Sequence, residues 1–145
     1  MAVCKRGINV RLAAVLAVAL LAIAGCSMFG TTAGKVALSG ANEVPPNRSD
    51  ATGTSAIVIG ADKSVGGSVW VSGMMPTAAH VHLAAAGKNG PVIVPLTKSG
   101  DSWVPAATAK LTDAQYASYL AGDLYVNVHS STFPGGEVRG QLTAK

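Results

Sequence analysis

Three histidines, His80, His82 and His129, are the residues of this chain best suited to chemistry. His80 and His82 flank Val81 in a segment of strand-forming composition. On an extended chain that spacing puts both imidazoles on one face and Val81 on the other. His129 closes the run Leu124-Tyr125-Val126-Asn127-Val128-His129, where Val126 and Val128 point to a core and Tyr125, Asn127 and His129 point away. If the two strands are near neighbours, three rings converge on the outer, solvent side of the sheet. Neutral imidazole is a common metal ligand, and three of them with an open fourth position suit copper or zinc. A His-x-His pair alone reads better as a solvated stripe. The argument for a metal is that every histidine of the domain falls on one face. Asn127, Glu137 and Arg139 are candidate groups for orienting the rings from outside. Glu137 and Arg139 also read as a same-face surface ion pair, which contributes little.

Other chemistries fare worse. The two cysteines, Cys4 and Cys26, lie near the N-terminus, so the domain has no disulfide, thiolate nucleophile or cysteine metal ligand. That excludes four-cysteine zinc, iron–sulfur clusters, thiol proteases and blue copper. Asp62, Asp101, Asp113 and Asp123 sit in turns or at a helix, and Glu43 precedes Val44-Pro45-Pro46 as a strand exit. Met74 and Met75 offer soft sulfur to Cu(I), or fill irregular space beside Pro76. Trp70 and Trp103 read as packing residues. Ser130 and Ser131 lack an activating arrangement. No catalytic residue is expected.

The elements that must position the histidines follow from a period of two. Val36 and Leu38 alternate with polar or small neighbours, as do Ile57 and Ile59, and Val65, Val69 and Val71. Further strands are predicted at Ala78–Ala84, Val92–Leu96, Leu124–Ser130 and Glu137–Thr143, separated by Gly-, Asn-, Asp- and Pro-rich breaks. One segment departs from this pattern. Thr112-Asp113-Ala114-Gln115 fits a capping box, with Leu111 and Tyr116 as a staple, Tyr116, Tyr119 and Leu120 on one face, and Gly122 as a stop. The expected fold is all-β, an antiparallel Greek-key barrel or immunoglobulin-like sandwich with one short helix.

The N-terminus reads as a leader. Lys5, Arg6 and Arg11 precede an apolar run from Leu12 to Ala24 that is too short for a membrane span. Ile23-Ala24-Gly25-Cys26 resembles the lipobox of bacterial lipoproteins, which implies residues 1–25 as signal peptide and lipidation at Cys26. Residues 26–34 are then lipidated cysteine and tether, and 35–145 the domain. Several acyl chains anchor stably. The implied location is the bacterial cell envelope, with Ser27 pointing to an outer-membrane lipoprotein facing the periplasm. The membrane is thus a partner through the anchor; a protein partner stays unknown. The formal charge of +4 misleads, because three of the 11 Lys and Arg fall in the leader and the rest nearly balance the 7 Asp and Glu. No concentrated basic face remains for a nucleic acid.

Several ordered stretches together resemble the CHRD domain. They are Leu38-Ser39-Gly40-Ala41-Asn42-Glu43-Val44-Pro45-Pro46, Ala79-His80-Val81-His82, Gly87-Lys88-Asn89-Gly90-Pro91, Tyr125-Val126-Asn127-Val128-His129 and Pro134-Gly135-Gly136-Glu137-Val138-Arg139-Gly140-Gln141-Leu142. The resemblance spans Lys35 to Leu142 and implies a barrel or sandwich, with little about activity. A more distant resemblance is to copper–zinc superoxide dismutases, in which His80, His82 and His129 look like copper ligands. The chain has no histidine between His82 and His129, so the bridging and zinc ligands lack counterparts. The leading expectation is a non-enzymatic, lipid-anchored module that holds one copper or zinc ion through His80, His82 and His129. A dismutase-like copper enzyme and a metal-free structural or interaction module are the alternatives.

Overall fold

A computed structural model describes residues 34–144. The leader, Cys26 and nearly all of the tether lie outside the described residues.

The alternating runs become β1 (Val36–Ser39), β2 (Thr52–Ser55), β3 (Val58–Ile59), β4 (Val65–Gly66), β5 (Val69–Ser72), β6 (Pro76–Leu83), β7 (Val92–Ser99), β8 (Ser102–Pro105), β9 (Leu124–Ser130) and β10 (Val138–Leu142), with helix α1 (Asp113–Leu120) between β8 and β9. Eight strands close into an antiparallel barrel in the order β1-β10-β9-β6-β7-β8-β5-β2, and β3 and β4 form a separate ribbon. Strands β6, β7 and β8 are consecutive neighbours, and the long connection carrying α1 returns β9 to the far side of β6. That is a Greek key. A closed barrel, not an open sandwich, is the architecture.

Two predicted runs are split. Thr54–Ile59 and Val65–Val71 each break in the middle, where the Ile57 N–H donates to Ser55 Oγ at 3.3 Å and Gly67 takes a φ of 89°. Strand β8 is an addition to the predicted set. It is only four residues long, it ends in Pro105, and turn residues precede it, so it carries little periodic signal.

Inside the barrel, Leu38, Val69, Val81, Val94, Leu124, Val126, Val128, Val138 and Trp103 are buried. Each fully buried Val or Leu contributes roughly 1.5–3 kcal/mol of transfer free energy. Three packing expectations change. Trp70 is 43% exposed and Met75 83%, so neither fills the interior, and Leu120 faces outward while Tyr116 and Tyr119 pack on the core. The capping box of α1 is complete. Gln115 N donates to Thr112 Oγ1 at 3.2 Å, and Thr112 N donates to Gln115 Oε1 at 2.8 Å. Gly122 ends the helix with φ of 82°, a left-handed conformation that glycine adopts without strain.

Like β10, strand β9 departs from alternation. Every one of its residues except His129 is buried, on both faces. The outer face is covered by a second layer of loops. Asn42 Nδ2 donates to Arg139 O, Asn47 Nδ2 to Glu137 O, and Gln141 Nε2 to Ala84 O. Asn89 Nδ2 donates to Val44 O at 2.7 Å, which ties the Glu43–Asn47 loop to the Ala85–Gly90 loop. This cover is what turns a barrel wall into a site.

Candidate metal centre

Pairing of β6 with β9 sets Ala78 opposite His129, His80 opposite Asn127 and His82 opposite Tyr125. The three histidines therefore sit on one face, as their spacing predicts, and the pairing makes their strands adjacent. One ring nitrogen from each lies within 4.8 Å of those of the other two. Their surroundings differ from the prediction. The face is on the outside of the barrel wall, yet it is roofed by loops, and His82 is only 8% exposed.

The hydrogen bonds define which nitrogen of each ring is available. His82 Nδ1 lies 2.9 Å from Gly90 O, and His129 Nδ1 lies 2.9 Å from Pro134 O. A carbonyl oxygen only accepts, so in both rings Nδ1 carries the proton and Nε2 carries the lone pair. His80 Nδ1 stands 3.0 Å from His129 Nε2 and donates to it. Among the described residues, His82 Nε2 and Asn127 Oδ1 are both buried with no hydrogen-bond partner. A bare buried acceptor of this kind costs about 1–3 kcal/mol unless something satisfies it. The lone pairs available to an ion are those of His82 and His129 at Nε2, and of His80 at Nδ1 once its proton moves to its other nitrogen. The last change alters the tautomer and leaves the charge alone.

These residues fit a transition metal. Nitrogens each 2.0–2.1 Å from one ion stand at most about 4.2 Å apart. The His80–His129 pair already satisfies this, and all three histidines bring a ring nitrogen within 4.8 Å of one another. Electrostatics favour the ligand form as well. Burial, and then the neighbouring His129 and His82, hold His80 below the usual histidine value. Burial is also the main cause that lowers His82, against the Gly90 carbonyl and the Asn127 amide, which raise it.

The three groups expected to orient the rings lie in different surroundings. Asn127 is buried at the centre of the face, between His80 on β6 and Arg139 on β10. Glu137 and Arg139 are not a surface ion pair: they are 6% and 2% exposed, and each is engaged elsewhere. Glu137 Oε1 accepts from Ser49 Oγ at 2.6 Å, so it is the Pro134 carbonyl and not a carboxylate that orients His129. Arg139 donates to Asn89 Oδ1 at 3.2 Å and to Lys88 O at 2.7 Å, and its guanidinium carbon lies 3.3 Å from the centre of the Tyr125 ring. It reaches the site through Tyr125 and His82, not beside His129.

Sequence reasoning passed over Glu43, Tyr125 and Gly90 as site residues. Membership of the stretches that carry the family resemblance was the only signal for Glu43 and Gly90, while alternation also put Tyr125 on the face of His129. Gly90 donates its N–H to Tyr125 Oη at 3.3 Å and accepts from His82 through its carbonyl. Glu43 is 5% exposed, and its Oε1 is buried without a hydrogen-bond partner. Burial pushes its carboxyl up to about 7, against Arg139, the Val44 N–H and the Asn127 amide.

Glu43 has a measurable consequence. Between its free value of 4.5 and about 7, the folded chain keeps a proton that the unfolded chain has lost. Its contribution to stability is therefore full below about pH 4.5 and is lost as the pH rises through about 7. His80 and His82 act in the opposite sense: their share is present above pH 6.5 and is lost as the pH falls through their lowered values. Glu43→Gln is expected to remove the first trend. Relative to the parent, it should gain stability between pH 5 and 7.5, on the order of 1.4 kcal/mol per unit of pKa shift. Urea unfolding at a series of pH values checks this; a constant difference between the two proteins would contradict it.

Comparison with known families supplies one match. The sequence model of the CHRD domain fits residues 35–142. The chain belongs to the CHRD domain family. No curated protein and no solved structure matches it significantly. The CHRD match covers every barrel strand, all three histidines and both roofing loops. It follows that the histidine face belongs to the domain itself and is not an appendage to it.

Proposed function

We propose that this CHRD protein is a lipid-anchored module of the bacterial cell envelope that binds one copper or zinc ion through His80, His82 and His129 and does no chemistry of its own. The observation that carries the metal is the buried, unpartnered Nε2 of His82, within a cluster of neutral ring nitrogens. A solvated stripe of histidines would stand open to water, whereas His82 is 8% exposed. The two backbone carbonyls that hold the protons of His82 and His129 support the same reading, since ligating histidines are oriented by such partners. When bound, copper or zinc would supply a Lewis acid or, for copper, a redox-active centre. The protein's part is to bring the three rings together, with burial favouring the neutral form of His80 and His82 and backbone carbonyls setting the tautomers of His82 and His129.

The anchor and location rest on the sequence alone: the basic start, the apolar run and the lipobox-like quartet ending in Cys26. With a tether of only a few residues, the barrel would work close to the membrane surface.

Titration of the full-length protein with Cu(II) and Zn(II) tests the metal. Micromolar or tighter binding at a ratio of one ion per chain is expected. Affinity should be nearly level from pH 8 to about 6.5 and fall below that as protons compete for the rings. Absence of binding to either ion would leave the metal-free module. Mass spectrometry of the protein from its own membranes tests the acyl chains on Cys26.

A further inference from the structure

The ring of His82 does not stand alone. Tyr125 lies parallel to it, with ring centres 4.7 Å apart and 7° between planes. The guanidinium of Arg139 covers Tyr125 at 3.3 Å. Strands β6 and β10 flank β9, so His82 and Arg139 take opposite faces of the tyrosine ring. The cation is fixed by Asn89 and Lys88 and is 2% exposed. It is thus a permanent positive charge no more than about 8 Å from the ring of a candidate ligand, in a place where salt screens weakly. Burial keeps the nearby carboxyl of Glu43 at about 7, so it offsets the guanidinium only in part at neutral pH. Glu137 is turned away to Ser49.

The candidate ligands are all neutral, so a bound ion would keep its full charge. A fixed cation disfavours a dication more than a monocation by the interaction of one extra unit charge. We propose that Arg139, acting through Tyr125 and His82, sets the charge preference of the three-histidine site toward monovalent copper over divalent copper and zinc. This rests on the metal reading above. Arg139 is a positioning and charge-setting residue and touches no metal.

The test compares Cu(I), Cu(II) and Zn(II) affinities of the full-length protein, using competition with a chromophoric Cu(I) chelator and with divalent-metal indicators. Arg139→Met should shift the Cu(II)/Cu(I) affinity ratio by about tenfold toward Cu(II), a fall of about 59 mV in the one-electron potential. Zinc should gain in parallel. Arg139→Lys, which keeps the charge, should stay within about threefold of the parent ratio. Because Arg139 is buried and its loss strands Lys88 O, Asn89→Asp provides a second probe. It sets a carboxylate against the guanidinium from an exposed loop and should move the ratio in the same direction as Arg139→Met, whereas Asn89→Ala, which gives up the same bond to Val44 O without adding charge, should stay within about threefold of the parent ratio. Equal loss of both copper affinities in Arg139→Met, or a ratio unmoved by Asn89→Asp, would overturn the proposal while leaving the site. A parent protein that binds neither form of copper would sink the site and the proposal together.

Discussion

His129→Ala is expected to weaken Cu(II) and Zn(II) binding at least about a hundredfold. Removing only a group that orients a ligand commonly costs 10–100-fold, and here a whole donor goes. The remaining pair, His80 and His82, comes from a single strand and leaves an ion open to water on two sides. His80 Nδ1 also loses the partner that stands 3.0 Å from it. The fold should tolerate the change. His129 is the one residue of β9 that is not buried, and its side chain adds little to the core. Unfolding stability of the metal-free variant should stay within about 1 kcal/mol of the parent. Competition titration against an indicator of known affinity reads the effect. Equal binding by parent and variant would remove His129 from the site.

Gly90→Ala should damage both stability and binding. A Cβ at this position would meet Leu83 O at 1.9 Å and Ala84 Cβ at 2.9 Å. The first contact is with backbone at the end of β6, so relief requires the roofing loop to move. The expected cost is about 1–3 kcal/mol or more, as for other forced overpacking. The loop cannot move without carrying the Gly90 carbonyl away from His82 Nδ1. His82 then loses the bond that holds its tautomer, and metal affinity should fall by about 10–100-fold. Urea unfolding of the metal-free protein and metal titration read the two effects separately. A variant as stable and as tightly binding as the parent would show that the loop does not clamp His82. The double effect also distinguishes Gly90 from His129, whose loss should spare the fold.

Some of this was legible without coordinates because it depends on local periodicity. Alternation through His80-Val81-His82 and through Val126-Asn127-Val128-His129 determines which side of a strand each residue faces. Both valine sets are buried, and the histidines share a face. The capping box at Thr112 was equally readable, since all of its partners lie within four residues. The short strand β8 was hidden for the complementary reason: four residues before a proline show too little alternation to register.

The sequence by itself determined an all-β chain with its three imidazoles on one side of two strands. Tertiary structure alone decided that those strands are adjacent, that the outer face is roofed, and that Glu43, Gly90, Tyr125 and Arg139 meet there. The reason is separation along the chain. Gly90 and Tyr125 are 35 residues apart, and Arg139 and Asn89 are 50. No periodicity encodes such contacts; strand order and loop packing do. For the same reason Glu137 and Arg139, two residues apart on one face, looked like a pair until the loops gave each a different partner.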